Sequence, residues 1–147
     1  MPVMDNVFMN KPDPFFGTWA LIPDQSRYEF GPPPAGGVYQ ITANETGYTF
    51  TMHWTTADGQ AMNAAYDAIP DGQQHPYENT AVADAVSLTR VSERQLDSAS
   101  FKGGQQIAYA SRVLSADRQQ MTVTQSGQTP DGTSFNNLAV YQRRSDK

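Results

Sequence analysis

A chain of 147 residues suits one domain with one core, and the absence of cysteine excludes a disulfide framework, an iron–sulfur cluster, a thiolate zinc site and a cysteine nucleophile. The net charge of −5 argues against a nucleic-acid groove, which needs a basic face. No apolar run approaches the roughly 20 residues that span a bilayer.

The start of the chain, Met1 to Pro14, lacks the basic n-region and apolar h-region of a signal peptide, so a cytoplasmic location is expected. A single domain is expected over residues 12–144, with flexible ends at Met1–Lys11 and Ser145–Lys147. Helical periodicity is nearly absent. Two-residue alternation recurs instead, which predicts strands at Phe15–Ile22 and Val38–Ala43. The clearest strand is Tyr48–Thr56, where Tyr48, Phe50, Met52 and Trp54 share one face and Thr49, Thr51, His53 and Thr55 the other. Asp58-Gly59 turns the chain into a return strand, Ala61–Ile69, because glycine supplies the positive φ of a hairpin turn. Further strands are predicted at Ala85–Val91, Gln95–Phe101, Gln105–Leu114, Gln119–Gln125 and Ser134–Arg143, and short helical turns at Asp24–Tyr28 and Thr80–Ala85. Thr56–Asn63 is echoed weakly by Thr129–Asn136, each joining an outgoing strand to a returning one. A meander of about eight to ten antiparallel strands has two bare edges unless it closes. The expected architecture is therefore all-β, an up-and-down antiparallel barrel, with a β-sandwich as the alternative.

The first strand carries Phe15-x-Gly17-x-Trp19-x-Leu21, which resembles the opening signature of the calycin superfamily, the lipocalins and intracellular fatty-acid-binding proteins. The last strand, Ala139 to Arg143, resembles the closing strand of the fatty-acid-binding proteins, and Trp19, Leu21, Ser26, Tyr28 and Pro32–Pro34 together are similar to bacterial lipocalin-like domains. The resemblance implies a lipocalin-like barrel in which Trp19 plugs the closed end, Gly17 permits a close approach, and Arg143 lies across the tryptophan. An ordinary core tryptophan and a solvated terminal arginine remain the alternative. The departures are as informative. Ile22 to Gly37 is too short and too rich in Pro and Gly for the helical lid of a fatty-acid-binding protein. Of the two arginines and one tyrosine with which that family holds a carboxylate, Arg112 and Tyr141 match, whereas Ala139 stands in place of the second arginine. No histidine follows His75, which disfavours a haem-binding relative.

No enzyme motif is present, and no catalytic residue or metal ligand set is assigned. His53, opposite the aromatic face, reads as a surface or rim residue. His75 reads as a loop histidine that could also serve as a general base. Asp58, Asp71 and Asp131 precede glycines, where turn chemistry accounts for them. Asp67 and Asp97 fall inside strands and are expected outward and solvated, although an inward carboxylate would be a candidate acid or base. Arg90 alternates with Val86 and Leu88. Arg112 alternates with Ala108, Ala110 and Leu114, while the competing register puts Ile107, Tyr109 and Val113 inside. Inward guanidinium groups would need partners or an anionic ligand. Phe50, Met52, Trp54, Tyr66 and Tyr141 form the candidate aromatic wall, and Ala64, Ala68, Ala108 and Ala139 leave volume beside it.

The expected function is binding of a small apolar or amphipathic molecule inside the barrel by Phe50, Met52, Trp54, Tyr66, Arg90, Arg112 and Tyr141, without a cofactor, as a monomer or homodimer. Two alternatives stand beside it. One is a cofactor-free isomerase, cyclase or lyase drawing on Asp67, Asp97, His53 or His75. The other is a structural or interaction module with a filled core.

Overall fold

In the computed structural model, which describes residues 13–29, 34–76, 83–128 and 132–144, the alternation becomes eleven antiparallel strands in one sheet. They are β1 (Gly17–Leu21), β2 (Arg27–Tyr28), β3 (Gly36–Ala43), β4 (Tyr48–Thr55), β5 (Ala61–Ala68), β6 (His75–Pro76), β7 (Ala85–Ser92), β8 (Gln95–Lys102), β9 (Gln105–Leu114), β10 (Gln120–Gln128) and β11 (Ser134–Arg143). The expected flexible ends, 1–11 and 145–147, lie outside the described residues.

Neighbouring strands run in the order β5-β4-β3-β1-β11-β10-β9-β8-β7-β6, so the first and last long strands pair, with Trp19 opposite Arg143 and Leu21 opposite Tyr141. This pairing curls the sheet into a nearly closed barrel rather than a sandwich. The ends of the path are β5 and β6. Between them the chain after β5 leans on β7, where Asp71 bridges to Thr89 and the Gly72 N–H donates to the Leu88 carbonyl at 2.8 Å. Closure removes most of the bare edge that an open meander of this length would leave.

Two local expectations are corrected. Asp24–Tyr28 is not one helical turn. Pro23–Gln25 forms a 3₁₀ turn and Arg27–Tyr28 is β2, paired with Asn137 and Leu138 of β11. The cause is tertiary. The Ser26 hydroxyl donates to the Ile22 carbonyl at 2.9 Å and accepts the Val140 N–H at 3.1 Å, which docks the segment flat on β11. At Thr80–Ala85, residues 80–82 lie outside the described residues and Ala85 opens β7. The first strand also starts later than expected. The Asp13 carboxylate accepts the Phe15 N–H at 2.9 Å and the Asp13 carbonyl accepts the Phe16 N–H at 3.0 Å, so both phenylalanines belong to a turn ahead of β1.

Fully buried Phe15, Trp19, Ile41, Phe50, Leu88, Leu96, Leu114 and Met121 make the core. They fill the end of the barrel at Trp19. Its inner face beyond them is hollow.

Candidate ligand-binding cavity

The decisive register is that of β9. Leu96 pairs with Arg112 and Ser98 with Ala110, so Ala108, Ala110, Arg112 and Leu114 point inward and Ile107, Tyr109 and Val113 point outward. The more apolar set is thus outside. A strand whose inner face borders a void carries small and polar residues there, because no core exists at that height for large ones to pack against.

The void measures about 550 Å³ and is lined by Leu21, Tyr28, Tyr39, Met52, Trp54, Tyr66, Ser98, Ser100, Ala108, Ala110, Arg112, Val123, Gln125, Asn137, Ala139 and Tyr141, among others. That size falls within the range of small-molecule sites, and the alternative of a filled core does not hold. Leu21, Met52, Trp54 and Val123 supply apolar wall, while tyrosines, serines and amides supply donors and acceptors. Among the described residues no Asp or Glu side chain lines it.

Arg112 is the charge of the cavity. It is buried, and its Nε donates to the Tyr39 hydroxyl at 2.9 Å, Nη1 to Ser98 Oγ at 3.1 Å and Nη2 to the Tyr66 hydroxyl at 3.4 Å. The guanidinium also lies 4.9 Å from the Phe50 ring centre and 5.9 Å from that of Tyr39, where the ring faces favour a cation. Burial opposes its charge, but the oxygens of Tyr39, Tyr66 and Tyr141 outweigh that, and the group stays cationic. All its partners are neutral. Burial, with Tyr28 and Tyr39 close by, pushes the Tyr141 phenol above its ordinary range against the pull of Arg112, and burial raises Tyr28 as well. Both phenols therefore stand protonated at the wall.

Met52, Trp54, Tyr66, Arg112 and Tyr141 are thus gathered around one void. Two other expected ligand contacts are elsewhere. Phe50 is fully buried beneath Arg112 and is not part of the lining. Arg90 points inward as its alternation suggests, yet it sits at the closed end. There it pairs with Asp13, donates to the Tyr48 hydroxyl at 2.6 Å and lies 5.3 Å from the Phe15 ring centre. Alternation gives a side chain's face and not its height in the barrel, and Arg90 has its anion already. Of the small residues, Ala108 and Ala139 line the cavity, Ala68 joins the core, and Ala64 stands opposite Met52 without reaching the void.

At the same closed end Arg143 lies 4.2 Å from the Trp19 ring centre and donates to three carbonyls, those of Arg118, Phe16 and Pro14. Gly17 holds φ at +138°, and a Cβ there would lie 2.8 Å from an Arg143 nitrogen, so only glycine fits.

The titratable groups that an enzyme would draw on are dispersed. Asp67 is exposed and accepts from the Thr49 hydroxyl at 2.8 Å. His53 is exposed at the cavity's border, on the strand face opposite Met52 and Trp54. His75 is joined to Asp71 at 3.0 Å, outside the lining. Asp97 faces outward but is not solvated, because Tyr109, Ser111 and Gln95 all donate to it. Asp58 lies in its turn with the Thr56 hydroxyl, and Asp131 is outside the described residues. Among the described residues no group of three or more metal-ligating side chains converges. Among the cavity residues that sequence reasoning missed are Leu21, Tyr28, Tyr39, Ser98, Ser100, Val123, Gln125 and Asn137. Tyr39 was detectable, since it alternates with Ile41 on a strand of clear period.

Structural comparison assigns the fold. Zebrafish ileal bile acid-binding protein, complexed with cholic acid, matches 89% of this chain and 99% of its own at a TM-score of 0.55 and 14% identity. Apo lipid binding protein 8 of Caenorhabditis elegans matches 91% and 98% at a TM-score of 0.55 and 8% identity. The siderocalin Ex-FABP aligns over 91% of this chain and 76% of its own at a TM-score of 0.40 and 9% identity. The first two matches give the chain the β-barrel fold of the fatty-acid-binding proteins, as the first and last strands lead one to expect. No protein-family model matches it, and none of the curated proteins does. No helix among the described residues is long and apolar enough to cross a membrane.

Proposed function

We propose that the protein binds a small amphipathic anion inside its barrel, with the apolar part of the molecule against Leu21, Met52, Trp54 and Val123 and the charged end at Arg112. One observation carries this reading: a buried guanidinium lines a roomy cavity whose wall, among the described residues, holds no carboxylate. An uncompensated buried cation is costly, and a bound anion relieves the cost with charge-assisted hydrogen bonds. The Arg112 Nε–H donates to the Tyr39 hydroxyl, so the Tyr39 proton is directed away from Arg112 and that phenol can donate to the same anion. The fold neighbours agree with this reading, since one is a bile acid-binding protein in complex with cholic acid. Among the described residues Arg112 is the one arginine that lines the cavity, and Ala139, where the resemblance would place a second, lines it too.

The test is a paired titration. The protein should bind 8-anilinonaphthalene-1-sulfonate more tightly than N-phenyl-1-naphthylamine, its uncharged counterpart, by at least about tenfold, the scale of one charge-assisted hydrogen bond. Native mass spectrometry of protein from its own host should show a retained acid. Equal affinities for the two probes, or a retained compound without an acidic group, would overturn the anion preference.

A further inference from the structure

Five large hydrophobic side chains are conspicuously exposed among the described residues; three of them (Ile107, Tyr109 and Val113) stand on the outer face of β9, and Val91 lies in a bulge of β7. Around them the same face carries Ser87, Thr89, Ala99, Thr122, Thr124 and Ser126. Its one acid, Asp97, is only 6% exposed and tied down by three neighbours. On the opposite side of the barrel, the outer face of β3 and β4 carries Val38, Gln40, Thr42, Thr49, Thr51, His53 and Thr55, with one apolar side chain among them.

We propose that this face is a two-fold interface between two copies of the chain. Charge is the first argument. The middle of the β7–β10 face carries no exposed charge, so nothing there adds to the repulsion between two copies at −5 each, and exposed Glu93, Arg94 and Lys102 lie at its ends. The second argument is the pattern on β9. Its outward residues run Ile107, Tyr109, Ser111, Val113. A two-fold axis across the strands at Ala110 lays each β9 antiparallel over its partner, as an isologous interface requires. Ile107 then meets Val113, and the large Tyr109 meets the small Ser111. On β8 the same axis sets Asp97 over Ala99 rather than over its own copy. The third argument is area. Four strands about 4.8 Å apart and about seven residues of roughly 3.4 Å each cover some 450 Å² per copy, near the lower bound of about 1,000 Å² in total for a specific contact. The dimer is therefore weak and reversible.

Sedimentation velocity over a rising concentration series tests it. The parent chain should move from monomer to dimer. Val113→Lys and Ile107→Lys should each raise the dissociation constant at least about tenfold, and Thr51→Lys on the opposite face should leave it unchanged. Circular dichroism shows which variants are folded, and the two lysine variants test the face independently. The lack of native cysteine permits a register test that needs no destabilising charge. In sheets packed about 10 Å apart, a short bis-maleimide should link a mixture of Ile107→Cys and Val113→Cys chains more efficiently than either alone. A parent chain that stays monomeric throughout, or equal cross-linking in mixed and unmixed samples, would refute the interface. Monomers that co-sediment with neutral phosphatidylcholine vesicles would assign the face to a lipid surface instead and refute it equally.

Discussion

Arg112 and Asp97 lie on opposite faces of the β8–β9 pair, and each buried charge is held by three neutral hydrogen-bond partners. Arg112 has only neutral acceptors. Replacing such a group with an apolar one of similar volume costs little folding stability, because its own desolvation penalty goes with it. Arg112→Leu should therefore keep its urea-unfolding free energy within about 1 kcal/mol of the parent. It should lose about 10- to 100-fold of affinity for the anilinonaphthalene sulfonate, the 1.5–3 kcal/mol scale of hydrogen bonds to a charge, and none for the uncharged probe. A structural arginine would give the reverse pattern. Burial alone would raise the Asp97 carboxyl, yet donation from Tyr109, Ser111 and Gln95, aided by the Arg112 charge across the sheet, holds it below the usual range. A carboxyl with a lowered folded value adds stability above its unfolded value near 3.9 and loses it as pH falls through the folded one. Asp97→Asn should cost about 1–2 kcal/mol at pH 7, and the gap to the parent should close as urea titrations are repeated toward about pH 3.

At the level of strands and turns, tight approach decides more than intrinsic preference. Gly47 ends the turn between β3 and β4, and a Cβ there would lie 2.6 Å from the Ala68 carbonyl and 2.8 Å from Pro70. Backbone cannot yield as a side-chain tip can, so Gly47→Ala should lower stability by about 2 kcal/mol or more, read as a fall in Tm. The strands themselves were readable because period 2 is a local signal: Tyr48 to Trp54 announces both strand and face. What alternation lacks is any measure of height along the barrel or of what lies inside. Arg90 and Arg112 carry the same local pattern, yet one is neutralised by Asp13 at the closed end and the other lines the void with neutral partners. The Ile22–Tyr28 segment was opaque for a related reason. Its conformation is set by Val140 and Asn137, more than a hundred residues away in sequence. On β9, hydrophobicity pointed to the wrong face, since Ile107, Tyr109 and Val113 lie outside.

That inversion has one explanation for the molecule as a whole: a barrel that keeps its interior hollow moves part of its apolar material to the outer surface. Small residues on β9 are then what preserves the void. Ala110 lines the cavity between Ser98 and Gln125, one turn of the pleat from Arg112. A phenyl ring placed there enters space that holds no protein atoms, so it adds apolar burial without displacing a neighbour. Ala110→Phe should fold with unchanged or slightly greater stability, a gain of up to about 1–2 kcal/mol. The same ring takes volume from the roughly 550 Å³ available to a ligand and stands where its chain would pass to reach Arg112. Affinity for the anilinonaphthalene sulfonate should fall at least about tenfold, a loss near 1.4 kcal/mol. Denaturation and fluorescence titration on one preparation separate the two effects. A variant more stable and weaker in binding marks the cavity as the place the ligand occupies. A variant that binds as the parent does would show that the probe sits elsewhere on the molecule, with the hollow a mere packing defect.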